Sequence, residues 1–198
     1  MPFLPERLIT PSQLALFSRS PRIGAWWEEL KARGLFTGEQ PPPSSLDEQL
    51  FADGLRLEQV LLNQLEAEGY RIARLSGHQR EADYAATRAA MAEGFDFIHQ
   101  ASLNNGEIRG SADVLRRIPQ PSDLGDWSYI PIECKLASKP RTTFLVQACA
   151  YCELLTPLLG DRPDRFELFL GRRHPHDRAA DCAGSRHHHC WPGPGGAP

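Results

Sequence analysis

The chain has 198 residues, of which 41% are hydrophobic and 24% are charged, and its formal net charge is -3. This composition is typical of a globular protein and excludes the polar, highly charged class of disordered chains. The negative net charge also excludes a general electrostatic affinity for nucleic acid, so DNA binding would need a local basic patch or a bound cation.

Membrane and secretory classes are not favoured by the sequence. No apolar stretch approaches the ~20 residues of a membrane-spanning helix, and the N-terminus does not resemble a signal peptide. The five cysteines are odd in number and lack paired C-x-x-C spacing, which argues against a disulfide framework. We therefore expect a cytoplasmic protein with no membrane partner.

The first third of the chain is predicted to be helical. Thr10, Pro11 and Gln13 have the pattern of a capping box with proline at the first helical position. The predicted elements are, in order, a helix to about residue 18, a helix over 23–33, a proline-rich loop over 38–45 and a long helix from 47 to 69. The long helix should bury one stripe of leucines, which are Leu50, Leu57, Leu61 and Leu65.

From residue 70 onwards the pattern predicts strands as well as helices. The predicted elements are, in order, a strand over 70–75, a helix over 80–93, strands over 95–103, 107–118 and 127–136, a helix over 143–155 and a strand over 165–170. The Asn105-Gly106 pair is a strong hairpin signal and predicts antiparallel pairing of the strands around it. We therefore predict a mixed α/β fold, with a helical portion over 1–69 and an αβββαβ core over 70–171.

The tail over 172–198 departs from this pattern. It contains no Leu, Ile, Val, Met or Phe, and five of the seven histidines lie in it. Such a segment cannot bury apolar surface, so we expect it to be disordered, and its abrupt composition suggests a frameshifted or truncated end. Cys182 and Cys190 lack the spacing of a zinc knuckle, so we expect no zinc site there.

The predicted strand over 127–136 contains the strongest indication of a functional site. Because strand side chains alternate, Glu133 and Lys135 share one face, while Cys134 lies on the other with the apolar residues. An acid and an amine in the middle of a core strand are costly to bury unless they bind something. Taken alone, the pair could equally be an exposed cross-strand pair on an edge strand.

Asp113 lies on the preceding predicted strand and can approach Glu133 if the two strands are neighbours. Two converging carboxylates repel each other unless a proton or a cation lies between them, and a hard divalent ion suits oxygen ligands. Lys135 could then orient a water molecule or stabilise a phosphoryl transition state. The chain holds 19 arginines and only 3 lysines, which makes a lysine at this place notable.

Two further groups are candidates. Gln147 and Tyr151 are four residues apart on a predicted helix, so they share a face that could bind phosphate or a base, or could be an ordinary half-buried helix face. Glu58 lies among apolar residues of the long helix. It could be a buried acid near the site or a residue at the boundary of the core.

In their order and placement, these motifs resemble the RecB-like branch of the PD-(D/E)XK nuclease superfamily. The resemblance covers residues 8 to 171 and rests on G-x-x-D ending at Asp113, E-x-K over Glu133 to Lys135, and Q-x-x-x-Y from Gln147 to Tyr151. It implies a restriction-endonuclease-like core and a nuclease that hydrolyses DNA with Mg or Mn, in DNA repair or recombination. A helicase or a further nuclease domain is an expected partner.

The resemblance also implies roles for single residues. Asp113, Glu133 and the backbone carbonyl of Cys134 would hold the metal, with Glu58 as a further candidate ligand. Lys135 would position the attacking water, and Gln147 with Tyr151 would engage the DNA.

The chain departs from the family pattern at two places. Leu57 stands where relatives carry a metal-binding histidine, so a catalytically inactive binding or scaffolding module is the alternative function. Ser20 stands where many relatives carry a cysteine of an iron-sulfur site, so we expect no cluster.

Overall fold

The computed structural model describes residues 8–20, 22, 26, 29, 30, 32–34 and 44–171. Its helices are α1 (Pro11–Arg19), α2 (Ser45–Ala67), α3 (Glu81–Glu93) and α4 (Thr142–Leu159). Its strands are β1 (Ile72–Arg74), β2 (Phe97–Asn104), β3 (Arg109–Ile118), β4 (Ser128–Lys135) and β5 (Glu167–Leu170). Most of the predicted helix over 23–33, most of the loop over 38–45 and the whole tail from 172 lie outside the described residues.

The five strands form one mixed sheet in the order β1-β2-β3-β4-β5. β2, β3 and β4 are antiparallel neighbours, whereas β1 and β5 pair in parallel with β2 and β4. The predicted hairpin is confirmed, because Gly106 has a positive φ of 91° and the chain reverses there between β2 and β3. The predicted mixed α/β class is also confirmed.

Helices cover both faces of the sheet. On one face α2 packs three leucines, Leu57, Leu61 and Leu65, against strand residues that include Val114 and Ile132. On the other face α3 and α4 pack against the sheet, with apolar residues that include Met91, Leu154 and Leu155. This three-layer arrangement leaves the central strands buried on both sides, so the polar residues within them need a specific explanation.

The helix starts follow from local chemistry. Thr10 caps α1 with Gln13 in the predicted capping box. The long helix begins at Ser45, earlier than predicted, because Ser44 and Asp47 form a second capping box. The prediction that Leu50 joins the buried leucine stripe is wrong, because Leu50 is exposed and the buried residues of α2 begin only at Leu57.

Helix α4 is longer than predicted and continues through Pro157 to Leu159. In the part of the chain that the structure describes, it is the one helix whose length and composition would allow it to span a membrane. Its buried residues pack on the sheet, and core helices of water-soluble proteins have the same length and composition.

Candidate active site

The candidate site lies where two central strands separate. The ladder between β3 and β4 runs from Ile118 and Ser128 to the pair formed by Val114 and Ile132. Beyond this pair β4 continues against β5, with Glu133 opposite Leu168. The carboxylate of Asp113 accepts a hydrogen bond from the backbone N–H of Cys134 at 2.8 Å. A side chain of β3 therefore satisfies a β4 backbone group at the fork.

Strand β2 is irregular at the same level. Gln100 has a φ of 55°, which is unusual for a residue other than glycine. The register between β2 and β3 passes from His99 and Val114 to Ala101 and Ala112, without a pair at the level of Gln100. Positive φ at a non-glycine residue is a local strain of the kind that accumulates at functional sites.

Glu133 is the most buried polar group of the site. Its side chain is completely inaccessible, and its Oε2 atom has no hydrogen-bond partner among the described residues. Burial raises the pKa of the Glu133 carboxyl to about 8, the charge of Asp113 adds to the rise, and Lys135 opposes it. A buried carboxylate with an unpaired oxygen needs a proton or a cation to be stable.

Asp113 and Lys135 complete the central cluster. Burial raises the pKa of the Asp113 carboxyl to about 6, Lys135 opposes this shift, and the negative charge of Glu58 adds to it. Lys135 forms an ion pair with Glu133. Burial acts to lower the pKa of Lys135, but the charges of Glu133 and Asp113 outweigh it and the net shift is upward. The ammonium therefore stays protonated at neutral pH.

Glu58 is at the site rather than at the outer boundary of the core. From helix α2 its Oε2 atom lies 3.0 Å from Nε2 of His99 and accepts a hydrogen bond of 2.9 Å from Nε2 of Gln100. Its charge also helps to raise the pKa of Asp113, after burial. It contributes to the raised pKa of Glu133 as well, but less than burial and the charge of Asp113 do. The fork thus brings three carboxylates, from α2, β3 and β4, within electrostatic reach of each other.

Tyr151 is buried and supports β3 from the neighbouring helix. Its hydroxyl donates a 2.6 Å hydrogen bond to the backbone carbonyl of Ser111, and Gln147 is half-buried on the same helix face. Gly110 allows this approach, because a Cβ atom there would lie 3.1 Å from the Tyr151 ring. In this structure Tyr151 holds the strand that carries Asp113, and its predicted contact with DNA stays a prediction.

The donor groups fit a hard divalent cation. Asp113 and Glu133 supply carboxylate oxygens, the Cys134 carbonyl is next to Glu133 in the chain, and Mg²⁺ commonly uses one or two carboxylates while retaining water ligands. The buried, unpartnered Oε2 of Glu133 is the observation that favours a cation here. Among the described residues, no three His, Cys, Asp or Glu side chains lie together in a preformed metal cluster. The cation would therefore depend on backbone carbonyl, water and substrate oxygens as further ligands.

Two side chains were not anticipated by the sequence argument, His99 and Gln100. Their signal in the sequence is a pair of adjacent polar residues in β2 that follows Phe97 and Ile98 and precedes Ala101. Leu57, at the position where the resemblance led us to look for a metal-binding histidine, is buried among core residues and contacts Gly171. Its side chain therefore has a packing role.

Comparison with known proteins does not identify a family. The chain matches no protein-family model, and no curated protein matches it. The functional argument consequently rests on the fork and its charged residues.

Proposed function

We propose that this protein is a metal-dependent deoxyribonuclease of the RecB-like, PD-(D/E)XK type, which hydrolyses phosphodiester bonds. The observation that carries the proposal is the buried, unpartnered carboxylate oxygen of Glu133 beside Asp113 and Lys135. The ion pair of Arg116 with Glu167 also leaves one buried carboxylate oxygen without a partner among the described residues, so the unpartnered atom alone does not define a site. What supports a further positive group at Glu133 is that its whole side chain is inaccessible and that the charge of Asp113 acts on it.

The surroundings of the site support a phosphate-containing substrate. Lys139 and Arg141 are exposed in the segment that joins β4 to α4, four and six residues beyond Lys135. The first turn of α4 contains no acidic residue, and its N-cap makes no side-chain hydrogen bond. Neither therefore compensates the positive end of the helix dipole, which can attract an anion. These groups would supply the local basic patch that a chain of net negative charge needs for DNA binding.

The roles of the side chains follow from their chemistry. Asp113, Glu133 and the Cys134 carbonyl would hold Mg²⁺ or Mn²⁺, with Glu58 nearby. The bound cation would lower the pKa of a water molecule and stabilise negative charge at phosphorus. Lys135, protonated through its contact with Glu133, would orient the water and offset charge on the phosphoryl oxygens. Lys135 supplies no metal ligand, so metal binding and cleavage can be separated by mutation.

One observation favours the alternative of a module that binds DNA without cutting it. Leu57 is packed in the core, and the site therefore lacks the imidazole that relatives place on this helix. Such a module would retain the basic segment and the fold, and would show no dependence on Lys135 for its affinity.

The test is cleavage of end-labelled single-stranded and double-stranded DNA with Mn²⁺, with Mg²⁺ and with EDTA. We expect metal-dependent cleavage by the full chain. Lys135→Ala should lower cleavage about a hundredfold or more, as loss of a group that stabilises transition-state charge does. Mn²⁺ binding, measured by calorimetry, should persist in Lys135→Ala and be lost in Asp113→Asn.

Glu153→Gln is the matched control, because Glu153 is an exposed acid that pairs with Arg162 on the surface. It should cleave as the wild type does. DNA binding without cleavage under any metal condition would favour the inactive module. Cleavage that survives Lys135→Ala, or loss of Mn²⁺ in that variant as complete as in Asp113→Asn, would contradict the assigned roles.

A further inference from the structure

Helix α4 contains a C-x-x-C pair, formed by Cys149 and Cys152. Both thiols are free, and they differ in exposure, because Cys149 is exposed and Cys152 is buried. The Sγ atom of Cys152 donates a hydrogen bond of 3.8 Å to the backbone carbonyl of Arg165, in the segment that leads to β5. One turn of the helix therefore joins a thiol that solvent reaches to a thiol that is shielded from it.

The helix places the two residues close enough to be cross-linked. Residues three apart in an α-helix rise by about 4.5 Å and are turned by about 60° on a cylinder of about 2.3 Å radius, so their Cα atoms are about 5 Å apart. Disulfides span Cα separations of roughly 4.4–6.8 Å. The Cβ atoms at this spacing are about 5–6 Å apart, however, whereas a disulfide needs roughly 3.5–4.5 Å. The turn must therefore tighten by about 1 Å or more when the bond forms.

The unequal exposure of the thiols sets the order in which they react. Burial raises the pKa of the Cys152 thiol to about 12, and the charge of Cys149 adds to the rise. The thiolate is the form that peroxides oxidise, and exposure favours the reaction, so Cys149 reacts first and Cys152 resists direct attack. An accessible cysteine beside a second thiol is the arrangement of a peroxide-reactive cysteine with its resolving partner.

Tyr151 lies within the turn that has to tighten. Its hydroxyl donates the 2.6 Å hydrogen bond to the backbone carbonyl of Ser111, two residues before Asp113 on β3. A change in the turn between Cys149 and Cys152 therefore acts on a buried contact of the strand that carries Asp113.

We propose that Cys149 and Cys152 are a site of reversible oxidation, at which hydrogen peroxide forms an intrahelical disulfide that weakens the hydrogen bond from Tyr151 to Ser111. The Cys149 thiolate attacks the O–O bond, which gives a sulfenic acid and releases the first hydroxide. The Cys152 sulfur then attacks Cys149, so that the S–S bond forms, the S–O bond breaks, and the thiol proton leaves with the second hydroxide as water. The two thiols together lose two electrons and two protons, and the peroxide is reduced to two water molecules. Because the turn is strained, a dithiol reductant can open the bond again.

The first test treats the folded full chain with hydrogen peroxide, blocks the remaining thiols and measures peptide masses. Cys182 and Cys190 are replaced by serine in every variant, so that no other exposed cysteine contributes. Trypsin releases residues 142–165 as one peptide, which contains both members of the pair. We expect this peptide to become lighter by two hydrogen atoms and to regain its mass with dithiothreitol.

Single substitutions separate the two steps of the reaction. Cys152→Ser should accumulate a sulfenic acid at Cys149, which dimedone traps, because the resolving thiol is missing. Cys149→Ser changes an exposed side chain and should give neither the disulfide nor the dimedone adduct. Urea unfolding of the reduced proteins checks that each variant is folded, and Cys152→Ala serves if the buried serine lowers stability.

The second test asks whether the bond acts on Tyr151. Oxidation should lower the urea midpoint of the wild type by more than that of Tyr151→Phe, since this variant has already lost the hydrogen bond. The effect of the cross-link on the unfolded chain is the same in both proteins and cancels in the comparison. Peroxide-treated Cys149→Ser is the matched control and should keep its midpoint.

Absence of the disulfide from the peroxide-treated folded protein would overturn the inference. It would also be overturned by an equal change of midpoint in the wild type and in Tyr151→Phe, because the disulfide would then have no effect on the contact with Ser111. Neither readout uses a metal ion or DNA, so these outcomes are independent of the proposed nuclease activity.

Discussion

The buried carboxyl of Glu133 predicts an unusual pH dependence of folding in the metal-free protein. Its pKa rises from 4.5 to about 8 in the folded state, mainly through burial. Between these two values the unfolded chain releases a proton that the folded chain keeps. The free energy of unfolding must therefore fall as the pH rises, and the stability present below about pH 4.5 is lost through pH 8.

The magnitude follows from the shift. At 1.36 kcal/mol for each pKa unit, Glu133 alone should remove about 3 kcal/mol between pH 5 and pH 8. The pKa of Asp113 is raised to about 6 in the folded state, which adds a smaller loss of folding stability that is mostly complete by pH 6. This is a large part of the roughly 5–15 kcal/mol that stabilises a typical domain. Most domains are, in contrast, near their greatest stability over this range.

The assay is urea unfolding in EDTA at pH 5, 6, 7 and 8, followed by tryptophan fluorescence. Glu133→Gln cannot ionise and should lose most of the dependence between pH 6 and pH 8, whereas the exposed-acid variant Glu153→Gln should retain it. Because metal ligands must be deprotonated, added Mn²⁺ should stabilise the protein more at pH 8 than at pH 5. A constant or rising stability in EDTA, or an equal fall in Glu133→Gln, would refute the reasoning.

Three further substitutions test the packing around the site, each by urea unfolding of the full chain. Leu57→His should lower the free energy of unfolding by roughly 3 to 5 kcal/mol, since it removes a buried leucine and buries an unpaired imidazole, and unchanged stability would show that residue 57 is not core. Gly110→Ala should lower it by roughly 1 to 3 kcal/mol, because the added methyl group would lie 2.8 Å from Cδ of Pro11. Tyr151→Phe should lower it by about 1 to 2 kcal/mol, because the carbonyl of Ser111 loses its donor, and a variant as stable as the wild type would show that water replaces the hydroxyl.

Much of the fold could be predicted from local sequence patterns. The capping box at Thr10, the turn at Asn105-Gly106 and the alternation in β4 each act over a few residues, so they predict elements and their neighbours without knowledge of the rest of the chain. The predicted ends of helices and strands were less accurate. Leu50 fits the apolar stripe of α2 by period, but the period cannot tell which turns of the helix another element covers, and Leu50 is exposed.

The composition of the candidate site was harder to predict from the sequence than the fold was, because it depends on the tertiary structure. The sequence indicated that Asp113 and Glu133 would approach each other if their strands were neighbours, and it identified Glu58 without deciding between core boundary and site. The structure adds the separation of β3 from β4, which leaves an oxygen of Glu133 buried without a partner.

The pairing of Glu58 with His99 joins residues 41 positions apart, on a helix and on a strand that no local pattern connects. Local sequence determines which residues can form a helix, a turn or one face of a strand, because those interactions span a few residues. Which charged groups share a buried site, and hence which pKa values shift, depends on the packing of distant segments, and only the tertiary structure decides it.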